Sequence, residues 1–405
     1  MKNINLNEVI KSIKPEASET KEAKYLINSI INKIKINNTK TSIGGSWAKN
    51  THLTGNHDID IYVKFNLKKY QQKDISKILE KELKKHFKIE KLHGSRDYFQ
   101  IKKEHYTVEI IPILEISKVS EAKNITDISP LHVKFVNKNK KYCDNIRLAK
   151  RFAKISKVYG AESYIKGFSG YVLEILTIHY KSFNNLIKAI SRWKDTTEIG
   201  NKTLIKELNK AKKESPLILI DPTDPSRNAA AALSKEKYDL FIKACNSYLK
   251  NPSEKFFKEQ IFDINDIRRK NKTNKIIILN IIPLKKKTDV AGAKMLKAFQ
   301  HIIKKLEEND FRIKHEGWVW NKDATFYFIF DKKSLSKTKK HYGPKIKMEK
   351  ACEEFRESWN KNKILKEKGN LYVIIKRKYR IPEELIKNLI KDKYIKELVK
   401  EIKLV

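Results

Sequence analysis

A stretch covering residues 44–65 combines a turn suited to phosphate with two carboxylates suited to a metal ion. Its sequence, GGSWAKNTHLTGNHDIDIYVKF, has a Gly-Gly-Ser turn through Gly45 and Ser46, which exposes backbone N–H groups and a hydroxyl. Asp58 and Asp60 stand at i and i+2 of an alternating segment, so their side chains point to the same face of a strand. Hard oxygen ligands beside a polyphosphate favour Mg²⁺. The stretch therefore predicts a site for nucleotide chemistry.

A third carboxylate is needed if two metal ions, roughly 3.5–4 Å apart, are to support an in-line displacement at phosphorus. Glu109 is the candidate, because it interrupts the apolar segment VEIIP and a charged residue there requires a reason. We expect Asp58, Asp60 and Glu109 to hold two Mg²⁺ ions for nucleotidyl transfer. Taken singly, the turn, the acidic pair and the glutamate are common on exposed turns and strands. Only their combination in this order carries the hypothesis.

The composition indicates a globular protein that binds a polyanion. The chain has 405 residues, of which 40% are hydrophobic and 10% aromatic, enough for several domains with cores of their own. Lysine and arginine number 88 against 48 acidic residues, which gives a formal net charge of +40. Such an excess favours nucleic acid as a partner and predicts salt-sensitive binding. A lysine-rich composition drawn from an AT-rich genome is the alternative explanation for part of the excess.

Cysteine usage and hydropathy argue against several classes of protein. Cys143, Cys245 and Cys352 lie far apart and form no CxxC spacing, so neither a zinc site nor a disulfide framework is indicated. The N-terminus carries no apolar signal segment, and no run of about 18 apolar residues occurs. We expect a soluble, cytoplasmic protein with no membrane partner.

Hydrophobic periodicity predicts the elements that position these groups. Strands are expected over 58–65 and 105–113, the second containing the glutamate. The period becomes helical in DNIRLAKRFAKISKVYG, which places apolar side chains on one face and Arg147 and Lys150 on the other. Farther along, LILIDPTDPSRN predicts a strand and a proline-rich turn that enters a helix over 234–250.

The remaining third of the chain is predicted to form a second α+β region. The polar segment 263–275 is a plausible linker, and a basic loop is expected shortly before residue 346. Aromatic residues are interleaved with lysines here, and the alternation in FYFIF indicates that most of them belong to a strand core. The others are candidates for stacking on RNA bases or ribose.

The combination of motifs resembles the DNA polymerase β nucleotidyltransferase superfamily, and within it the archaeal, class I CCA-adding enzymes. The resemblance rests on RLAKRFAKISKVYGAESYIKGFSGYVLEIL (147–176), on DPTDPSRNAAAALS (221–234) and on PSEKFF (252–257). It extends from about residue 20 to 260 and is fainter beyond, where HYGP (341–344) is similar to a short family motif. These segments are far more specific than an acidic pair on a strand.

The resemblance implies roles for residues at the turn. In the family motif a serine and a basic residue three positions later bind the nucleotide phosphates, which here implies Ser46, beside Gly45, and Lys49. The family usually has arginine at the second position, so a bidentate contact with phosphate becomes a point charge. The family's metal carboxylates, often Glu, Asp and Asp, correspond to the three acidic residues above.

The resemblance also implies the rest of the nucleotide pocket. A family histidine matches His132 in SPLHVKF, and a lysine and a tyrosine of the following helix match Lys150 and Tyr159. The arginine that reads the base matches Arg227, and Asp224 belongs to the same turn.

Each of these pocket residues has a structural alternative that the sequence leaves open. Lys150 could belong to a solvated basic face, and Tyr159 could be a core aromatic. His132 could be a satisfied loop histidine, and Arg227 could cap or bridge the helix that follows it.

These inferences define a fold class and a division into domains. We expect a multidomain α+β protein with a polymerase β-like nucleotidyltransferase head (1–140) and a helical neck for base recognition (141–262). An α+β body (263–345) and a short tail (346–405) would follow, both binding RNA.

The function that the resemblance implies is the addition and repair of the 3′-terminal CCA of tRNA without a nucleic-acid template. CTP and ATP would be the substrates, two Mg²⁺ ions the cofactors, and the acceptor stem and T arm of tRNA the partner; family members are often homodimers. One alternative is another enzyme of the superfamily, which tails RNA or forms oligoadenylate. The other is a non-catalytic RNA-binding protein.

Overall fold

The chain folds into two compact units, the first ending at residue 260 and the second beginning at residue 261. The structure is a computed structural model, and it describes residues 4–259, 262–320, 324–331 and 334–405. Among these residues no helix is long and apolar enough to span a membrane. The finer division into head, neck, body and tail stays a prediction.

The first half of unit 1 is built around one five-stranded sheet. Its elements, in chain order, are α1 (Leu6–Ile13), α2 (Ala17–Ile31), β1 (Thr39–Ile43), α3 (Gly45–Ala48), β2 (Asp58–Asn66), α4 (Leu67–Tyr70), α5 (Ile75–Lys84), β3 (Glu90–Leu92), β4 (Tyr98–Lys103), β5 (Tyr106–Glu115) and α6 (Ser129–Lys138). The strand order is β1-β2-β5-β4-β3. The strands β2 and β5 run parallel and all other neighbours are antiparallel.

The alternation in β2 separates a core face from a polar face, as the sequence predicts. Ile59, Ile61, Val63 and Phe65 are fully buried in the cluster formed with α2 and α5. The opposite face carries the acidic pair, so the apolar set fixes the direction in which the two carboxylates point.

The second half of unit 1 is mainly helical. Its elements are α7 (Cys143–Ile155), α8 (Gly170–Tyr180), α9 (Phe183–Ile190), β6 (Thr197–Ile199), α10 (Lys202–Glu207), β7 (Leu217–Asp221), β8 (Asp224–Asn228) and α11 (Lys235–Lys250). Helix α8 begins at the N-cap Ser169, whose hydroxyl accepts a hydrogen bond from Val172 N. Four aliphatic residues and one threonine of α8 are buried around its circumference, so this helix lies inside the unit.

Two expectations for this region are wrong. The alternative that placed Lys150 on a solvated basic face fails, because Arg147 and Lys150 are 1% and 3% exposed. Arg147 instead bonds His52 O (3.0 Å) and Asn50 Oδ1 (2.6 Å), which ties α7 to the loop after α3. The segment DPSRN, expected as a turn, forms β8 and pairs antiparallel with β7.

Unit 2 contains two further sheets. Its elements are α12 (Ile264–Lys270), β9 (Lys275–Ile282), α13 (Thr288–Glu308), β10 (Ile313–Trp320), β11 (Ala324–Phe330), β12 (Thr338–Lys345), α14 (Glu349–Ser358), β13 (Ile364–Glu367), β14 (Asn370–Lys376), α15 (Pro382–Leu389), α16 (Lys393–Leu398) and β15 (Glu401–Leu404). One sheet has the order β10-β11-β9-β15 and the other the order β12-β14-β13.

The core of unit 2 confirms the strand assigned to FYFIF, since Phe326, Phe328 and Phe330 are buried against α13. The expected linker 263–275 contains α12, and the expected basic loop contains β12, so both are regular elements rather than loops. The last strand, β15, pairs with β9, which incorporates the end of the chain into the first sheet of this unit.

Candidate active site

The three acidic residues lie on the two parallel strands at the centre of the first sheet. In the β2–β5 register Asp60 is directly opposite Glu109, and Asp58 is opposite Thr107. Residues paired across neighbouring strands at matching pleat positions present their side chains on the same face. The hydrophobic alternation of both strands therefore brings together carboxylates that are far apart in the sequence.

The Gly-Gly-Ser turn lies against the same carboxylates. Gly44 N donates to Asp60 O (2.7 Å), and Gly45 adopts the left-handed region with φ of +53°. A Cβ on Gly45 would lie 1.7 Å from Asp60 Oδ2, so only glycine leaves the space that the carboxylate occupies. The turn and the acidic pair thus form one site.

The electrostatics of this site fit a cation. Burial and the neighbouring Asp58 raise the pKa of Asp60 to about 6, while the charge of Lys49 lowers it. Because the charge of Asp58 disfavours the ionised form of Asp60, a divalent ion between them would stabilise the pair. Asp58, Asp60 and Glu109 are the residues that could hold it.

Lys49, expected at the nucleotide phosphates, is held by a residue that the sequence interpretation missed. Glu174 on α8 is fully buried, and its carboxylate accepts hydrogen bonds from Lys49 Nζ and Lys150 Nζ, both at 2.7 Å, and from Thr51 Oγ1 at 2.7 Å. Burial raises the pKa of Glu174, but the charges of the two lysines outweigh it and hold the pKa at about 2. Glu174 is therefore an ionised counter-ion shared by two buried ammonium groups.

Tyr159 and Ser46 lie near the same cluster. A Cβ on Gly170, the first residue of α8, would come within 2.9 Å of the Tyr159 hydroxyl and 3.7 Å of Lys150 Nζ. The lysine and the tyrosine therefore meet at the start of α8, as the hypothesis of a shared nucleotide pocket requires. Ser46 Oγ accepts a 3.4 Å hydrogen bond from Asn56 Nδ2.

A second buried carboxylate organises the other end of the pocket. Asp221, the last residue of β7, lies 3.2 Å from His132 Nε2 and 3.1 Å from Arg227 Nη1 through Oδ2. Its Oδ1 accepts from Tyr171 Oη at 2.9 Å. The Tyr171 ring stacks on His132 with 3.9 Å between centroids, and Lys49 Nζ lies 5.3 Å from the same ring. Tyr171 thus connects the two ends of the pocket.

The structure decides between some of the alternatives for these residues. Ser234 caps the helix that follows Arg227, so the alternative that Arg227 caps this helix is wrong. His132 lies on α6 rather than in a loop, although its Nε2 is satisfied by Asp221. Asp224 accepts from Ser226 N (3.1 Å) and Ser226 Oγ (2.8 Å) inside its own turn.

Both missed carboxylates carried a signal in the sequence. Glu174 interrupts the apolar run YVLEIL in the same way that Glu109 interrupts VEII, and Asp221 ends the apolar run LILID. A charged residue inside an apolar segment is rarely buried without a partner. The rule applied to Glu109 would therefore have selected Glu174 and Asp221.

Two solved structures illustrate the similarity of this fold to known proteins. A cytoplasmic RNA terminal U-transferase aligns with 64% of this chain and 98% of its own, at a TM-score of 0.50 and 13% identity. The Cid1 poly(U) polymerase aligns with 63% of this chain and 98% of its own, at a TM-score of 0.50 and 14% identity. The fold and the acidic strand pair define a polymerase β-like nucleotidyltransferase.

Family models and relatives narrow this class. Residues 144–258 match the second domain of tRNA nucleotidyltransferase, residues 285–403 the C-terminal domain of CCA-adding enzymes, and residues 1–130 the second messenger oligonucleotide or dinucleotide synthetase domain. The CCA-adding enzyme of Nanoarchaeum equitans is 39% identical over 84% of this chain and 84% of its own. That of Methanocaldococcus jannaschii is 30% identical over 95% of this chain and 90% of its own.

The chain belongs to the archaeal-type CCA-adding enzymes. It is a tRNA nucleotidyltransferase, and the family resemblance inferred from its sequence is confirmed. These matches support CCA addition over the alternatives of an oligoadenylate-forming enzyme and of a non-catalytic RNA-binding protein. As members of a nucleotidyltransferase superfamily, these enzymes use nucleotide substrates and divalent metal.

Replacing Glu174 with glutamine should lower the free energy of unfolding by about 3–5 kcal/mol, because Lys49 and Lys150 then lose their buried counter-ion. Chemical denaturation followed by circular dichroism measures this difference. Glu236→Gln is the control, since that side chain is 77% exposed and its surface pair with Lys237 should contribute less than about 1 kcal/mol.

The difference in stability between the wild type and Glu174→Gln should depend on pH. The folded pKa of Glu174, about 2, lies below the ordinary value of 4.5, so its contribution is fully present above pH 4.5 and is lost as the pH falls towards 2. The stability gap between the wild type and Glu174→Gln should therefore narrow across this window. Equal stability of the two proteins at neutral pH would contradict the buried pairing.

Proposed function

We propose that Asp58, Asp60 and Glu109 hold two Mg²⁺ ions and that CTP and then ATP are added to the tRNA 3′ end at this site. The observation that carries the proposal is the pairing of Asp60 with Glu109 on parallel strands, with Gly45 packed against the Asp60 carboxylate. When bound, Mg²⁺ would neutralise charge on the triphosphate and activate the RNA hydroxyl. The protein's part is then mainly positioning and charge neutralisation.

Basic groups on one side of these carboxylates form the proposed triphosphate site. The backbone amides of the turn at Gly45, the Ser46 hydroxyl and the ammonium group of Lys49 would hold the phosphates, with Lys150 and Tyr159 beside them. Glu174 orients the two lysines from a buried position, so their direction is set before a nucleotide arrives. Because the lysine side chains are already held in place, part of the entropic cost of binding the nucleotide is removed.

The residues around Asp221 form the proposed base site. Arg227 is 31% exposed, and Asp221 holds one of its nitrogens, which leaves the guanidinium edge accessible to a base. His132 stacks on Tyr171 next to it, and Asp224 accepts a hydrogen bond from Ser226 N on the strand that carries Arg227. A fixed fork of donors can distinguish the edge of a cytosine or an adenine from that of other bases.

Unit 2 is proposed to hold the acceptor stem and T arm of the tRNA. On its second sheet Tyr342 is 51% exposed and pairs with Tyr372 on the neighbouring strand. Lys340 Nζ lies 4.9 Å from the centroid of the Tyr372 ring. An open face with lysines and tyrosines suits a phosphate backbone with ribose or base contacts.

Incubation with tRNA lacking CCA and each labelled nucleotide tests the proposed activity directly. We expect incorporation of two C residues and one A residue, after which extension stops, and no incorporation without divalent metal. An intact tRNA ending in CCA is the control and should accept nothing. Continued tailing with one nucleotide, or release of free oligonucleotides, would refute the proposal.

Asp60→Ala should reduce nucleotide incorporation by roughly 10³-fold or more, because the site loses a ligand that both stabilises the metals and faces Glu109. Binding of tRNA should stay nearly unchanged, since phosphate contacts elsewhere carry it. A filter-binding assay run beside the incorporation assay separates the two. If both fall together, Asp60 has a structural role instead.

Affinity for tRNA should fall steeply with salt, by roughly 10³-fold or more between about 50 and 200 mM, because lysines that neutralise phosphates release bound counterions. Binding isotherms at a series of salt concentrations measure the slope, and circular dichroism at each concentration confirms that the fold is unchanged. A flat response would contradict a grip on the phosphate backbone.

A further inference from the structure

Asp221 is a fully buried carboxylate whose donors come from four parts of unit 1. His132 lies on α6, Tyr171 on α8, Thr223 in the hairpin turn and Arg227 on β8. A carboxylate without solvent must be satisfied by protein donors, and each donor is in turn fixed by it. Asp221 therefore fixes the orientation of these four elements relative to one another.

The two oxygens of Asp221 serve different groups. Oδ1 accepts from Thr223 N (2.9 Å), Thr223 Oγ1 (2.8 Å) and Tyr171 Oη (2.9 Å). Oδ2 faces His132 Nε2 at 3.2 Å and Arg227 Nη1 at 3.1 Å. One oxygen thus fixes the hairpin turn, and the other fixes the imidazole and the guanidinium.

The charge state of Asp221 suits this task. Burial raises the pKa of its carboxyl, but hydrogen bonds from His132 and Thr223 outweigh burial and hold the pKa at about 2. An ionised acceptor makes the stronger, charge-assisted type of hydrogen bond. The orientation of the Arg227 guanidinium plane is consequently set by an interaction that does not involve the nucleotide.

We propose that Asp221 is a positioning residue for nucleotide choice, which acts by holding Arg227 and His132 in the orientation that reads the base. This rests on the proposed base-reading role of Arg227. Asp221 is fully buried and enclosed by its donors, so we expect its loss to affect discrimination between bases rather than the phosphate-transfer chemistry.

Asp221→Asn is the appropriate variant because it keeps the size of the side chain. An asparagine has one acceptor oxygen and one NH₂ group. If its oxygen serves the turn and Tyr171, its NH₂ group opposes Arg227 Nη1, and two donors cannot pair, whereas His132 can change tautomer and accept from the NH₂ group. The arginine is then released while the hairpin keeps most of its bonds.

The readout is the ratio of kcat/KM for CTP to that for UTP on tRNA lacking CCA. We expect Asp221→Asn to reduce this ratio roughly tenfold, the loss of one charged hydrogen bond. Inhibition by pyrophosphate should be unchanged, because the phosphate side of the pocket does not involve Asp221. An unchanged ratio, or an equal loss of pyrophosphate inhibition, would overturn the proposal.

Asp127→Asn is the matched control. Asp127 is another fully buried aspartate of unit 1 that pairs with an arginine, Arg96, and accepts hydrogen bonds from Leu114 N and Asn124 N. Its loss should reduce stability without changing the CTP to UTP ratio. A matching fall in both variants would mean that discrimination follows general destabilisation, which would overturn the role of Asp221.

Arg227→Ala separates this inference from the proposed function on which it rests. If Arg227→Ala leaves the ratio unchanged, the base-reading role of Arg227 fails, and the inference fails with it. If Arg227→Ala reduces the ratio and Asp221→Asn does not, only the inference fails. The expected result is that both reduce it and that the double variant discriminates no worse than Arg227→Ala alone.

Tyr171→Phe keeps the proposal testable if Asp221→Asn does not fold. This variant removes the hydroxyl donor to Asp221 Oδ1 and retains the ring that stacks on His132. We expect a smaller fall in the CTP to UTP ratio, by roughly threefold, because the carboxylate loses one of its anchors. An unchanged ratio in a folded Tyr171→Phe protein would count against the proposal.

Discussion

The arrangement of the proposed nucleotide pocket depends on one buried carboxylate shared by two lysines. Lys49 follows the Gly-Gly-Ser turn and Lys150 lies on α7, so the two ammonium groups come from segments that have no local reason to meet. Glu174 supplies the charge that permits both to be buried, because an unpaired ammonium in such an environment is strongly destabilising. The orientation of both lysines therefore depends on how α8 packs.

Helix α8 also contributes a buried polar side chain to the proposed base site. It is apolar around most of its circumference, so its polar side chains must be paired inside the protein. Tyr171, one turn before Glu174, bonds Asp221, and Asp221 in turn pairs with His132 and Arg227. Two buried carboxylates thus orient the basic groups around Lys49 and Lys150 and around Arg227.

The sequence predicts the catalytic strands well because their signal is local. Alternation in DIDIYVKF places Asp58 and Asp60 on one face, and Glu109 is found because a charge interrupts the apolar segment VEIIP. The burial of Lys150 has no such local signal, because its partner Glu174 lies on the next helix, 24 residues along the chain, and periodicity does not locate it. Strand β8 was missed because a proline within DPSRN argues against a strand, and only the pairing with β7 overrides that preference.

The lysine at position 49, where relatives usually have arginine, is consistent with the geometry of its partner. An ammonium carries three N–H donors on a flexible stem, and Glu174 Oε2 requires one of them, so contact with a phosphate does not require the ion pair to break. A guanidinium is larger and planar, and it would have to share the space bounded by Glu174 and the Tyr171 ring with its fork fixed in one plane. The compact, rotatable lysine can serve the buried carboxylate and an incoming phosphate together, which makes the departure at position 49 compatible with nucleotide binding.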